Sequence, residues 1–182
     1  MSVLDRLLTA IDFISEWSGK AVGFLLLPIV GVMVFEVVSR YAFNAPTIWS
    51  TDIVVILAGT LYIIGGAYTH YLRGHINVET LYNLLSPRWQ TLTRVLLHFP
   101  LFVLYVGVLL WGGTEFAWSS MMEGEHAGSL WNPIVWPYKM MLPLGALLIL
   151  LQGLAQFVRD VRTLVTGEDL PAGPAEEVET EL

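Results

Sequence analysis

Residues 36–52, E-V-V-S-R-Y-A-F-N-A-P-T-I-W-S-T-D, begin inside one long apolar segment and end where the next one starts. This pattern predicts the end of one membrane helix, a tight turn and the start of a returning helix. Asparagine tolerates the left-handed backbone at a helix end, and proline cannot continue the helical hydrogen bonds, so Asn44 and Pro46 mark the turn. Ser50 or Thr51 is expected to cap the returning helix.

Charged side chains within or beside apolar segments need partners. A carboxylate at the centre of a membrane helix costs roughly 2.5–3.5 kcal/mol to insert, and less near a helix end. Arg40 follows Glu36 by one helical turn, so we expect the two to pair. Asp52 suits the positive end of the returning helix and is also placed to meet Arg40 across the turn. An intramembrane acid can instead carry protons, which leaves an autonomous proton-coupled small transporter as an alternative.

The composition is that of a membrane protein. Of the 182 residues, 55% are hydrophobic and 14% are charged, whereas soluble domains carry about 25% charged residues. The net charge of -7 arises mainly from residues 167–182, which contain six acids and no base. Nucleic-acid binding has no support, because no cluster of Lys and Arg is present to neutralise phosphates. The lack of cysteine excludes disulfides and thiolate sites.

The sequence predicts an all-α membrane protein with four transmembrane helices, preceded by an N-terminal amphipathic helix over residues 1–20. Each apolar segment is long enough to cross about 30 Å of hydrocarbon at a rise of about 1.5 Å per residue. We expect the amphipathic helix to lie at the membrane surface or against a partner. A disordered acidic tail is expected over residues 166–182. The transmembrane domain is predicted over 21–165, with spans near 21–43, 52–72, 92–112 and 134–158.

Basic residues predict the orientation of these spans. Seven of the nine Lys and Arg residues fall on one side of the predicted membrane, and only Arg40 and Lys139 fall on the other. Cytoplasmic loops are enriched in Lys and Arg, so both termini should be cytoplasmic. The connection from Thr114 to Pro133 contains three glutamates and no base, and is expected to face outside.

Few polar side chains converge on a site, so we predict no enzymatic activity and no cofactor or metal. His70 and His98 lie near the inner ends of successive spans, where a pair of histidines can ligate a haem between antiparallel helices. A haem-binding membrane anchor of a redox complex is therefore a second alternative, and plain interfacial histidines are the simpler interpretation. Gln152 and Gln156, one turn apart in the fourth span, are expected to hydrogen-bond to another helix.

The order and spacing of several motifs resemble the small membrane subunit, the DctQ-type subunit, of tripartite ATP-independent periplasmic (TRAP) transporters. The matching motifs are Glu36-x-x-x-Arg40-Tyr41-x-Phe43-Asn44-x-Pro46-x-x-Trp49-Ser50-x-Asp52, then Gly66-Ala67, Gly74-His75-Ile76-x-Val78-Glu79, and the stretch from Trp131-x-Pro133 to Pro143-x-Gly145. Family members usually carry Glu at the position of Asp52 and Asp at the position of Glu79. Both exchanges keep the charge.

The resemblance implies a multi-span protein of the bacterial inner membrane that binds a large membrane subunit and is surrounded by lipid. In that family the large subunit holds the sodium and substrate sites and moves its transport domain like an elevator, while a periplasmic solute-binding protein delivers the solute. The small subunit would widen and anchor the immobile scaffold of an importer for an organic anion, here a carboxylate.

The resemblance also implies which residues matter. They either contact the partner or only fix the turns of the subunit itself, and the sequence leaves both interpretations open. On the outer side they are Glu36, Arg40, Tyr41, Asn44, Trp49 and Asp52, and on the cytoplasmic side they are His75, Val78 and Glu79.

Overall fold

A computed structural model of the chain describes residues 3–72 and 92–166, and all of its regular elements are helices. These are α1 (Val3–Gly23), α2 (Leu26–Ala42), α3 (Ser50–Tyr71), a π-helical turn (Arg94–His98) that leads into α4 (Phe99–Glu123), the short α5 (Trp136–Lys139) and α6 (Met141–Thr166). The only β-type pairing within the described ranges is an isolated bridge between His126 and Ile134. The predicted all-α fold is therefore confirmed.

Four helical runs are long and apolar enough to cross a membrane, as predicted. They cover Leu4–Ala42, Ser50–Tyr71, Val95–Glu123 and Trp136–Val165. The side of the membrane that each terminus faces stays a prediction. The predicted inner motif of His75, Val78 and Glu79 lies outside the described residues, as does the predicted acidic tail beyond Thr166.

The first run contains both α1 and α2. We predicted a boundary between residues 20 and 21, whereas the helix continues through that point and breaks only at Phe24 and Leu25. Pro28 explains the position of the break, because it has no N–H to donate to the carbonyl of Phe24 and its ring would clash with that carbonyl. The placement of α1 at a membrane surface stays a prediction.

The third run is longer than predicted. We placed the end of this span near residue 112, but α4 continues to Glu123. Gly113 lies inside the helix and faces α6, where an added Cβ would come 3.1 Å from Cγ of Leu142. The helix ends instead at Gly124, whose φ of 61° is the left-handed conformation that glycine adopts readily. The predicted outer connection is therefore mostly helical in its first half.

Helix α6 packs against both α3 and α4, and glycines allow these close approaches. An added Cβ at Gly145 would lie 2.4 Å from Cγ2 of Ile63, and one at Gly153 would lie 2.1 Å from Cε1 of Phe102. Membrane helices use small residues in this way to bring their backbones together. Small and medium apolar residues form the buried core, including Ile64, Ala67, Val106, Ala117, Ala146 and Ala155.

Candidate functional site

The α2–α3 corner, residues 36–52, has the turn that its sequence predicts. Asn44 has a φ of 52° and so adopts the left-handed conformation one residue beyond Phe43, the C-cap of α2. The N–H of Ala45 donates to the carbonyl of Ser39 at 2.9 Å, which closes the end of the helix. The predicted cap of the next helix is wrong, because Ser50 already belongs to α3 and Trp49 occupies the cap position without a side-chain hydrogen bond.

One carboxylate holds this corner together. Arg40 Nε donates to Oε1 of Glu36 at 2.8 Å, and its Nη2 donates to the same oxygen, so the predicted pair is confirmed. The second oxygen, Oε2, accepts the backbone N–H of Thr47 at 3.0 Å and also the Thr47 hydroxyl. Glu36 therefore joins the last turn of α2 to the chain beyond Pro46. Its use of both oxygens as acceptors favours a structural role over proton carriage.

The corner is also tied to residues 124–135, which connect α4 to α5. Oδ2 of Asp52 accepts a hydrogen bond from the Ser129 hydroxyl at 2.5 Å. That hydroxyl also accepts the N–H of Asn132 at 3.0 Å. The alternative in which Asp52 meets Arg40 is not observed, since no ion pair joins these two side chains in the described parts of the chain. Asp52 instead brings two distant connections side by side.

An open cleft of about 370 Å³ lies between these two connections. It is lined by Arg40, Pro46, Thr47, Ile48, Thr51 and Asp52 on one side and by Ser129 and Leu130 on the other. Leu130 is 88% exposed and Ile48 is 55% exposed, so the cleft presents apolar surface beside a guanidinium and a carboxylate. Such a cleft can accept an apolar side chain of a partner together with flanking hydrogen bonds.

The predicted corner residues fall into two groups. Glu36, Asn44 and Trp49 serve the turn, and the Trp49 ring stacks on Phe35 of α2 with centroids 5.8 Å apart. Tyr41 points away from the chain and is 81% exposed. The structure thus separates side chains that build the corner from Tyr41, whose side chain is exposed.

A second ion pair fixes the connection between α4 and α5. Lys139 Nζ pairs with Glu125 and lies 4.0 Å from the centroid of the Phe116 ring. The hydrogen bond from Lys139 lowers the pKa of Glu125 from its ordinary value of 4.5. Sequence reasoning missed this pair, because its members lie 14 residues apart across a connection with no regular period.

The glutamines of α6 contact other helices, as predicted. Gln156 Nε2 donates to the backbone carbonyl of His70 at 2.6 Å, and Gln152 Nε2 donates to Oδ1 of Asp12 at 3.0 Å. The ring of His70 stacks on Phe102 of α4, with centroids 4.8 Å apart and planes 6° from parallel. The His70 side chain of α3 therefore packs against α4. The described residues contain no group of three or more His, Asp or Glu side chains that suits a metal ion.

These features define a multi-pass membrane protein in which polar contacts join several of the described helices. The chain belongs to the DctQ family, the DctQ component of the tripartite ATP-independent periplasmic transporters, which it matches over residues 29–163. It is also similar to the sialic acid TRAP transporter permease protein SiaT of Haemophilus influenzae (strain 86-028NP), with 26% identity over 93 residues. The matched part covers 51% of this chain and 15% of SiaT, so most of that permease lies outside the match. The predicted resemblance is confirmed, and the chain is a small TRAP transporter component.

Proposed function

We propose that this chain is the small scaffold subunit of a sodium-coupled TRAP transporter that imports an organic anion. In this proposal it supports a large elevator-type membrane subunit, and a periplasmic solute-binding protein delivers the carboxylate. The chain would lie in the bacterial inner membrane, surrounded by lipid, with both termini in the cytoplasm. The match to the DctQ family over residues 29–163 is the observation that carries the proposal.

The polar contacts of the described residues support a scaffold over a self-sufficient transporter. Glu36 accepts hydrogen bonds from Arg40 and Thr47. Gln152 donates a hydrogen bond to Asp12, and Gln156 donates one to a backbone carbonyl. Transporter sites near the membrane midplane are typically formed by interrupted helices with unwound, ion-coordinating backbone. Helix α3 is continuous over Ser50–Tyr71, and α6 is continuous over Met141–Thr166. We therefore assign the sodium and solute sites to the large subunit.

The outward surface supports a partner in the membrane. Large apolar side chains cover the outer faces of α2 and α4, among them Leu27 (72% exposed), Val34 (57%), Leu104 (66%) and Val108 (66%). Apolar surface of this extent is covered either by lipid or by another protein. We propose that the large subunit covers part of it and lipids cover the rest. Tyr41 and the cleft beside Arg40 and Asp52 would extend the contact at one end, and His75, Val78 and Glu79 would do the same on the cytoplasmic side.

The proposal is tested by affinity purification of the full chain from its native membrane, with mass spectrometry and an absorbance spectrum of the same sample. We expect a large multi-span protein to co-purify and the preparation to be colourless. We also expect liposomes to take up solute only when the large subunit and the binding protein are present. A Soret band that disappears when His70 is replaced, or uptake by this chain alone that depends on Glu36, would contradict the proposal.

A further inference from the structure

A polar cluster lies between α1 and α6, and we call it the α1–α6 clasp: Asp12, Ser15, Gln152 and Arg159. Gln152 is fully buried and Ser15 is 1% exposed. The Ser15 hydroxyl donates to Oε1 of Gln152 at 2.7 Å, and Nε2 of Gln152 donates to Oδ1 of Asp12 at 3.0 Å. Arg159 closes the cluster by pairing with both oxygens of Asp12, with Nη1 3.3 Å from Oδ1.

The clasp reverses the usual orientation of an amphipathic helix. The face of α1 that packs on the other helices carries Asp12, Ser15 and Gly19, at the spacing of successive helical turns. Gly19 lets α3 approach, since an added Cβ there would lie 2.3 Å from Cβ of Tyr68. Large apolar side chains of α1 point outward instead, and Trp17 is 57% exposed. Within the described residues of α1, Leu8 is the one large apolar side chain that is buried. Close packing at Gly19 therefore attaches α1 to α3, and polar contacts attach it to α6.

The α1–α6 clasp can form only late in the synthesis of the chain. Gln152 belongs to the fourth membrane-spanning run, where an amide without a hydrogen-bonding partner is unfavourable. Its partners Ser15 and Asp12 precede it by 137 and 140 residues. The amide of Gln152 can thus receive these partners only after α6 has been synthesised and inserted. The helices α3 and α6 meet through their own glycine contacts without α1, as at Gly145.

We propose that α1 is a latch, which docks as a separate unit on the assembled α3 and α6 and is held there by the α1–α6 clasp. The docked latch satisfies the amide of Gln152 and links α3, through Gly19 and Tyr68, to α6. Release of the latch leaves the contacts between α3, α4 and α6 in place. The proposal concerns the chain itself and does not depend on which transporter it serves.

Hydrogen exchange measured by mass spectrometry on the full chain in lipid nanodiscs tests the latch. We expect Asp12→Ala and Gln152→Leu each to raise exchange in α1 by roughly tenfold or more, while α4 keeps its protection. Glu16→Ala is the matched control, because it removes an acid one turn further along α1 that pairs with Lys20 of the same helix. Its α1 exchange should stay within about twofold of wild type. The exchanged pair Asp12→Arg with Arg159→Asp should recover most of the protection that Asp12→Ala loses.

Two outcomes would overturn the latch. Unchanged exchange of α1 in both Asp12→Ala and Gln152→Leu would mean that the clasp does not hold the helix. A simultaneous loss of protection in α1 and α4 would mean that α1 belongs to one cooperative unit with the other helices. The same distinction can be made in native membranes, because the chain has no cysteine and Leu8→Cys supplies a single buried thiol. Maleimide labelling of that thiol should be accelerated by Gln152→Leu and not by Glu16→Ala.

Discussion

The α2–α3 corner and the α1–α6 clasp are each built around one carboxylate and one arginine, but the two pairs differ in reach and burial. Glu36 and Arg40 lie four residues apart on one helix, and their side chains are 14% and 51% exposed. Asp12 and Arg159 lie 147 residues apart, with side chains only 18% and 17% exposed. Solvent screens a pair whose arginine is exposed, whereas removal of one partner from a pair in which both side chains are largely buried leaves a costly charge. The clasp should therefore be the more sensitive of the two.

The largest effect is expected from Arg159→Ala. It leaves the half-buried carboxylate of Asp12 without its cation, which we expect to cost about 3 kcal/mol, the low end of the range for broken buried pairs. Thermal unfolding of the purified chain in detergent measures the loss. Arg162→Ala is the comparison, since Arg162 pairs with Asp5 through a side chain that is 42% exposed. If Arg159→Ala and Arg162→Ala lowered the thermal stability equally, burial would not be what makes the Asp12–Arg159 pair more important.

Gly19→Ala should lower the free energy of unfolding by a smaller amount, about 2 kcal/mol. The new Cβ would lie 2.3 Å from Cβ of Tyr68, so α1 and α3 have to move apart, and overpacking of this kind costs about 1–3 kcal/mol. Gly23→Ala is the matched control on the same helix, because an added Cβ there meets nothing within 4 Å. The control should retain or slightly raise the melting temperature. Equal behaviour of the two variants would show that α1 does not pack closely on α3.

At the corner, Glu36→Gln should lower the melting temperature by less than Gly19→Ala does. The amide oxygen can replace one acceptor, but the charge that attracts Arg40 is lost, and one of the two carboxylate oxygens that serve Arg40 and Thr47 becomes a donor. Glu16→Gln provides the control, since Glu16 and Lys20 form a pair of the same spacing with 34% and 53% of their side chains exposed. Only Glu36 also bonds to Thr47, so the extra decrease in melting temperature in Glu36→Gln over Glu16→Gln measures the contribution of those bonds. No difference would mean that Glu36 does not hold the turn.

The same contrast explains what the sequence can and cannot predict. The turn at Asn44 and the pairing of Glu36 with Arg40 depend on neighbours within one or two helical turns, so local rules were sufficient for both. The bond from Ser129 to Asp52 spans 77 residues and depends on where two connections meet in space. For Gln152 the sequence predicted that another helix would be bonded, but not that it would be α1.

The helix boundaries show a second limit of local rules. The third apolar segment has three glycines near its end, and only Gly124 has a positive φ; the other two are Gly112 and Gly113. Gly113 instead packs closely on α6, as small residues of membrane helices commonly do, and the sequence did not show that the helix continues as far as Gly124. Likewise the break after α1 follows from Pro28, four residues beyond the carbonyl that the ring would disturb, and not from the polar residues before it.

The ion pair of Glu125 and Lys139 is intermediate in exposure between the pair at the α2–α3 corner and the pair in the α1–α6 clasp. The two side chains are 39% and 13% exposed. The pKa of Glu125 is lowered by its hydrogen bond from Lys139, so the folded chain releases this proton more readily than the unfolded chain. The resulting stabilisation is present above the ordinary value of 4.5 and is lost as the pH falls below it through the lowered pKa. Glu125→Gln should therefore lower the melting temperature slightly at pH 7, and the curves of the two proteins should converge as the pH falls below 4.5 through the lowered pKa. A gap that persisted unchanged at the lowest pH would show that the charge of Glu125 is not what stabilises the connection between α4 and α5.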